Sequence, residues 1–105
     1  MKLTLNRLNK IYKARDKMIA KLHLSYIPEI LFNGAEWTRR ISHTCPTRYL
    51  GLSNREEKLI YINVKYHRNL KQVLETLAHE LIHQRFNYSH WCKSFKKWEK
   101  ELMKK

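Results

Sequence analysis

The hydrophobic positions divide the chain into segments of different period. In residues 3–24, Leu8, Ile11, Tyr12, Met18, Ile19 and Leu22 recur at the three- and four-residue spacing of one helix face, and Lys10, Lys13, Lys17 and Lys21 follow on the outer side. A first helix is predicted there, with His23 at its surface end. The pattern breaks over residues 25–34, where Pro28 can open a short helical turn and Asn33-Gly34 is a turn signal. Residues 36–43, rich in Trp, Thr and Ile, read as a strand, with Trp37 as a core anchor. Cys45-Pro46 marks a connection, and residues 47–52 are a second strand containing Tyr49 and Leu50. The polar run 53–57 is the loop of a hairpin. In residues 58–66, Ile60, Ile62 and Val64 face one way and Leu59, Tyr61 and Asn63 the other, the period of a strand.

From Leu70 the period returns to that of a helix. Leu70, Val73, Leu74, Leu77, Ala78, Leu81 and Ile82 form one stripe, and Gln72, Glu75, Thr76, His79 and His83 fall opposite. Asn69 is the expected N-cap, and the end is expected near Phe86 or Asn87, because Asn tolerates the left-handed C-cap conformation. A last helix over residues 89–103 carries Trp91, Phe95, Trp98 and Leu102 on one face. The expectation is an α+β fold in a single domain, residues 1–105. It has an N-terminal helix, a small, mainly antiparallel three-stranded sheet and two C-terminal helices.

Composition narrows the possibilities. A chain of 105 residues supports one modest core. It has no apolar run of 18 residues, so no membrane span is expected, and Lys2, Arg7, Lys10 and Lys13 interrupt any signal-peptide core. Two cysteines, Cys45 and Cys92, make neither a disulfide framework nor an all-cysteine zinc site and point to a reducing cytoplasm. Twenty-two Lys and Arg against nine acids give a net charge of +13. Such a bias fits a polyanionic partner, nucleic acid first, with a merely solvated basic surface as the alternative.

The candidate chemistry lies on the polar face of the Leu70 helix. His79-Glu80-Leu81-Ile82-His83 is an H-E-x-x-H pattern. On a helix, residues four apart point the same way, so His79 and His83 can hold one Zn²⁺, and Glu80 beside them is placed to take a proton from the attacking water. The bland alternative is a surface helix with two solvated histidines. Catalytic zinc needs a third protein ligand and an open position. His90 is the candidate, and Glu99 and Glu101 are its rivals. Metzincin spacing is excluded, since it requires Gly at the place of Phe86 and His at the place of Ser89.

These residues resemble the SprT-like zinc metalloprotease domain, the domain of the DNA–protein crosslink protease Spartan, with the minigluzincin proteases similar in layout. The likeness runs from about Trp37 to Trp98. It rests on Ile60-Tyr61-Ile62-Asn63, on Glu75-Thr76-Leu77-Ala78-His79-Glu80-Leu81-Ile82-His83, and on His90 followed by Phe95-Lys96-Lys97-Trp98. Two positions depart from the family pattern: Trp91 stands where Gly usually follows the third His, and Phe95 lies one residue farther on than the family's aromatic. The resemblance implies His79, His83 and His90 as ligands of one catalytic Zn²⁺ and Glu80 as the acid/base. It also implies a protein substrate. Many members carry a further nucleic-acid-binding module, and this sequence shows none, so nucleic-acid binding, DNA favoured, would fall to the basic faces of the domain.

The expected function is therefore a zinc-dependent endopeptidase, monomeric and cytoplasmic in a prokaryotic cell or virus-infected host, that cuts nucleic-acid-associated proteins such as DNA–protein crosslinks. Substrate is expected to lie extended along an exposed strand, with residues 58–66 as the candidate edge. Two alternatives stand beside it. One is a basic nucleic-acid-binding module with structural zinc, for which Cys92 would supply a fourth ligand. The other is a regulatory zincin that cuts a repressor independently of DNA. A metal-dependent nuclease is disfavoured, because such sites are rich in Asp and the only Asp is Asp16.

Overall fold

The computed structural model describes residues 1–41, 48–87 and 92–104. Its elements are α1 (Leu5–Leu22), β1 (Glu29–Leu31), α2 (Gly34–Ile41), β2 (Gly51–Asn54), β3 (Leu59–Ile62), a 3-10 turn (Val64–Tyr66), α3 (Leu70–Arg85) and α4 (Lys93–Met103). The fold is α+β, as its periodicities predict. The three-stranded sheet has the order β1-β3-β2 and is mixed. β2 pairs antiparallel with β3, Gly51 opposite Ile62, and β1 pairs parallel with it, Glu29 opposite Leu59.

β3 is the centre of the molecule. Its four residues alternate between two faces, yet all are buried, as befits a middle strand covered on both sides. Ile60 and Ile62 join the main core with Ile11, Met18 and Leu22 of α1, Val73, Leu77 and Leu81 of α3, and Phe95 and Leu102 of α4. Leu59 and Tyr61 face the other way, into a smaller cluster with Leu31 and Trp37. The sheet thus lies between α2 on one side and α1, α3 and α4 on the other.

Four sequence expectations are corrected. Residues 36–41 are helical, not a strand. Asn33 caps α2 by accepting from the Ala35 backbone N–H at 2.8 Å, and Trp37 and Ile41, four apart, pack on the second cluster, so burial follows the helical period and overrides β propensity. The sheet's third strand is instead β1, in the segment expected only to turn. It is three residues long and is held by a partner thirty positions away. β2 starts at Gly51 and includes Ser53 and Asn54; the turn falls later because the Asn54 side chain accepts from the Glu57 N–H at 2.8 Å and Lys58 takes a left-handed φ of 55°. β3 ends at Ile62, where Asn63 caps the 3-10 turn by accepting from the Lys65 N–H. Residues 42–43 and 47 of the expected strands, Cys45, and residues 89–91 of the expected last helix lie outside the described residues.

Candidate metal centre

α3 begins with a reciprocal cap. Asn69 Oδ1 accepts from the Gln72 N–H at 3.0 Å, and Gln72 Oε1 accepts from the Arg68 N–H at 2.7 Å. The helix ends with Phe86 in an extended conformation (φ −128°), so the expected left-handed Asn plays no part. Between these ends the apolar stripe is buried, and the opposite face is turned toward β2.

That face brings His79, Glu80 and His83 together. The two imidazoles are 5.0 Å apart between ring centres and nearly edge-on, at 74°. Both rest on the ring of Phe95 from α4, at 4.7 and 5.0 Å. His79 Nδ1 lies 3.3 Å from Glu99 Oε2. Glu80 is 7% exposed. Burial pushes its carboxyl up to about 8, because the charged form loses its hydration.

Glu80 is roofed by Gly51 of β2. A Cβ there would lie 2.7 Å from Thr76 Cγ2, 3.0 Å from the Tyr61 carbonyl oxygen and 3.1 Å from Glu80 Oε2. Only glycine lets the strand approach the helix so closely. Thr76 is in turn held by the buried His67, whose Nε2 is 2.7 Å from Thr76 Oγ1 and whose Nδ1 donates to the Asn63 carbonyl at 2.7 Å. One helical turn beyond Glu80, Gln84 pins the same strand. Its Nε2 donates to Ser53 Oγ at 2.6 Å and to the Asn54 and Leu59 carbonyls at 3.1 Å, and its Oε1 accepts from Tyr26 at 2.6 Å.

A trough runs along β2 past these side chains. A cavity of about 690 Å³ is lined by His79, Glu80 and His83 together with Gly51, Leu52, Ser53 and Asn54. A second cavity, of about 420 Å³, shares Gly51, His79 and Glu80 and continues past Leu50 to Arg48, Glu75 and Glu99. The strand beside the site is therefore β2, at the end of the sheet. β3, which contains Leu59–Ile62 of the expected edge segment, is paired on both sides and has no edge to offer.

The donors fit a zinc ion. Two imidazoles on one helix face, open to a groove and next to a buried carboxyl, supply two of the three protein donors that catalytic zinc needs. Among the described residues no group of three His, Cys, Asp or Glu side chains is arranged to hold a metal ion together. His90, the expected third ligand, lies outside the described residues. Of its rivals, Glu99 faces His79, and Glu101 ion-pairs with Lys104 at 3.2 Å. Cys92 is a free thiol, half-buried against the main core. Sequence reasoning missed Gly51 and the platform role of Phe95. The i, i+4 spacing of Phe95 and Glu99 is the signal that puts both on one side of α4; nothing local marks Gly51.

Comparison of the chain with protein-family models, with curated proteins and with solved structures finds no match.

Proposed function

We propose that the protein is a zinc-dependent endopeptidase of the SprT-like kind, acting on proteins associated with nucleic acid. The observation that carries this reading is Glu80: a carboxyl buried under a strand, pushed up to about 8, between two histidines that share an open groove. A surface helix with solvated histidines has no reason to bury that carboxyl.

His79 and His83 would hold the metal, with His90 as the third ligand on the strength of the resemblance. When bound, zinc supplies Lewis acidity to the attacking water and to the scissile carbonyl. Glu80 takes a proton from that water and returns it to the leaving amine. Burial raises the proton affinity of this carboxyl in the metal-free chain, and beside a bound dication it would return toward the ionised form that accepts the proton. The substrate backbone would add along β2, which offers main-chain groups beside the trough. Specificity for nucleic-acid-associated proteins is supported by the +13 charge and by the exposed lysines Lys10, Lys13 and Lys17 of α1 and Lys96, Lys97 and Lys100 of α4.

The test is cleavage of a basic DNA-binding protein, with and without single-stranded DNA, against Glu80→Gln. The expected result is turnover by the native chain, loss of at least about a hundredfold in Glu80→Gln, and zinc bound by both. Activity retained in Glu80→Gln would overturn the assignment of the base. Cleavage independent of DNA would keep the protease and leave the charge to solubility or substrate steering.

A further inference from the structure

The two histidines are served by α4 as much as by the helix that carries them. Phe95 and Glu99 are four residues apart and so share one face of α4. Phe95, 1% exposed, supports both imidazoles. Glu99 reaches only one of them, with Oε2 3.3 Å from His79 Nδ1. A carboxylate accepts hydrogen bonds and does not donate them, so this contact requires the hydrogen of His79 on Nδ1 and, in the neutral ring, the lone pair on Nε2. Glu99 Oε2 also lies on the Nδ1 side of the ring, whereas a ligand sharing an ion with Nε2 belongs on the other side.

We infer that Glu99 is a positioning residue for the metal centre: through its hydrogen bond it holds His79 in the Nδ1–H tautomer and orients the ring so that Nε2 is the ligand atom. The tautomer follows from the contact alone; its consequence for zinc rests on the metalloprotease reading. A carboxylate behind a ligating imidazole fixes the ring's orientation and raises its basicity. The same contact ties α4 to the site, so the docking of the C-terminal helix and the readiness of His79 are one structural condition. Glu99 thereby ceases to be a rival to His90 and acts on the metal only through His79.

Two measurements on the full chain test this. In the metal-free protein, long-range ¹H–¹⁵N NMR at a pH where histidine is neutral reads the tautomer of His79. The native chain should show Nδ1–H. Glu99→Ala should move His79 toward Nε2–H, and Glu99→Gln, which keeps an acceptor oxygen, should retain Nδ1–H. The Glu99 side chain is 40% exposed, so its loss leaves the core intact. A native chain with Nε2–H, or an Ala variant with unchanged Nδ1–H, overturns the inference. Zinc affinity, read by competition with a chelating indicator, should then fall about 10–100-fold in Glu99→Ala and recover largely in Glu99→Gln. An Ala variant that binds zinc as the native chain does overturns the inference, and so does a Gln variant as weak as Ala, which would make Glu99 a direct ligand. A native chain that shows Nδ1–H but takes up no zinc would leave the tautomer set by Glu99 standing and overturn its role toward zinc together with the metalloprotease reading.

Discussion

At the scale of single residues, Glu80 and Gly51 set the terms of the site. The Glu80 carboxyl has a folded value near 8 against an ordinary 4.5. Below pH 4.5 the folded and unfolded chains both hold its proton. Between 4.5 and 8 only the folded chain does, so its contribution to stability is lost as the pH rises through that window. In protein stripped of metal by a chelator, Glu80→Gln should match the native chain at pH 4 and exceed it at pH 8 by about 5 °C or more in Tm. A gap that does not grow with pH would show that the carboxyl is not buried. Gly51→Ala forces a methyl group against Thr76, the Tyr61 carbonyl and Glu80. It should cost about 1–3 kcal/mol in urea unfolding and lower turnover by shifting Glu80. A neutral effect on both would mean that β2 can lift away freely.

At the scale of elements, the site depends on α3 being fastened to the hairpin and to α4. Gln84 is 2% exposed and is the fastening to β2 and β3. Gln84→Ala leaves buried carbonyls without donors and should cost about 2–3 kcal/mol, read as a lower urea midpoint at unchanged slope. A loss below about 0.5 kcal/mol would show that water replaces the side chain without penalty. At its far end, α4 is tied to α1 by Lys21, whose Nζ donates to the Glu101 and Lys104 carbonyls at 3.0 Å each. α1 in turn ends in a Schellman arrangement with His23 left-handed at φ 54°, the Leu24 N–H donating to the Ile19 carbonyl. His23, exposed and without a part in the chemistry, thus closes the helix that packs behind α3.

At the scale of the whole molecule, the charge is the dominant feature. Twenty-two cationic side chains against nine anionic ones leave the exposed faces of α1 and α4 rich in lysine. Among the described residues, no helix is long and apolar enough to cross a membrane. If the basic faces hold nucleic acid, affinity for labelled single-stranded DNA, measured by fluorescence anisotropy, should fall about 10–100-fold between 50 and 200 mM salt, as expected for release of counterions from a few phosphates. Affinity that ignores salt would assign the charge another purpose. Three of the nine acids, Glu75, Glu80 and Glu99, line one end of the trough together with Arg48.

Local pattern alone determined α1, α3, α4 and the candidate chemistry. The apolar stripes of α1, α3 and α4, the Asn69 cap and the H-E-x-x-H spacing are all properties of neighbours three or four positions apart, which a helix turns directly into a shared face. What tertiary structure decided is what distant partners supply. Residues 36–41 are helical because Asn33 caps them and the sheet accepts Trp37 and Ile41 together. Residues 29–31 become a strand only because β3 lies beside them. β3 has a strand hydrogen-bonded on each side, which leaves β2 and not β3 at an edge of the sheet beside the trough. The burial of Glu80, the closeness of Gly51 to Thr76 and the contact of Glu99 with His79 come from residues 20 to 29 positions apart in sequence. No local period encodes such distances, because they exist only once the core has closed and brought β2 and α4 against the two sides of α3.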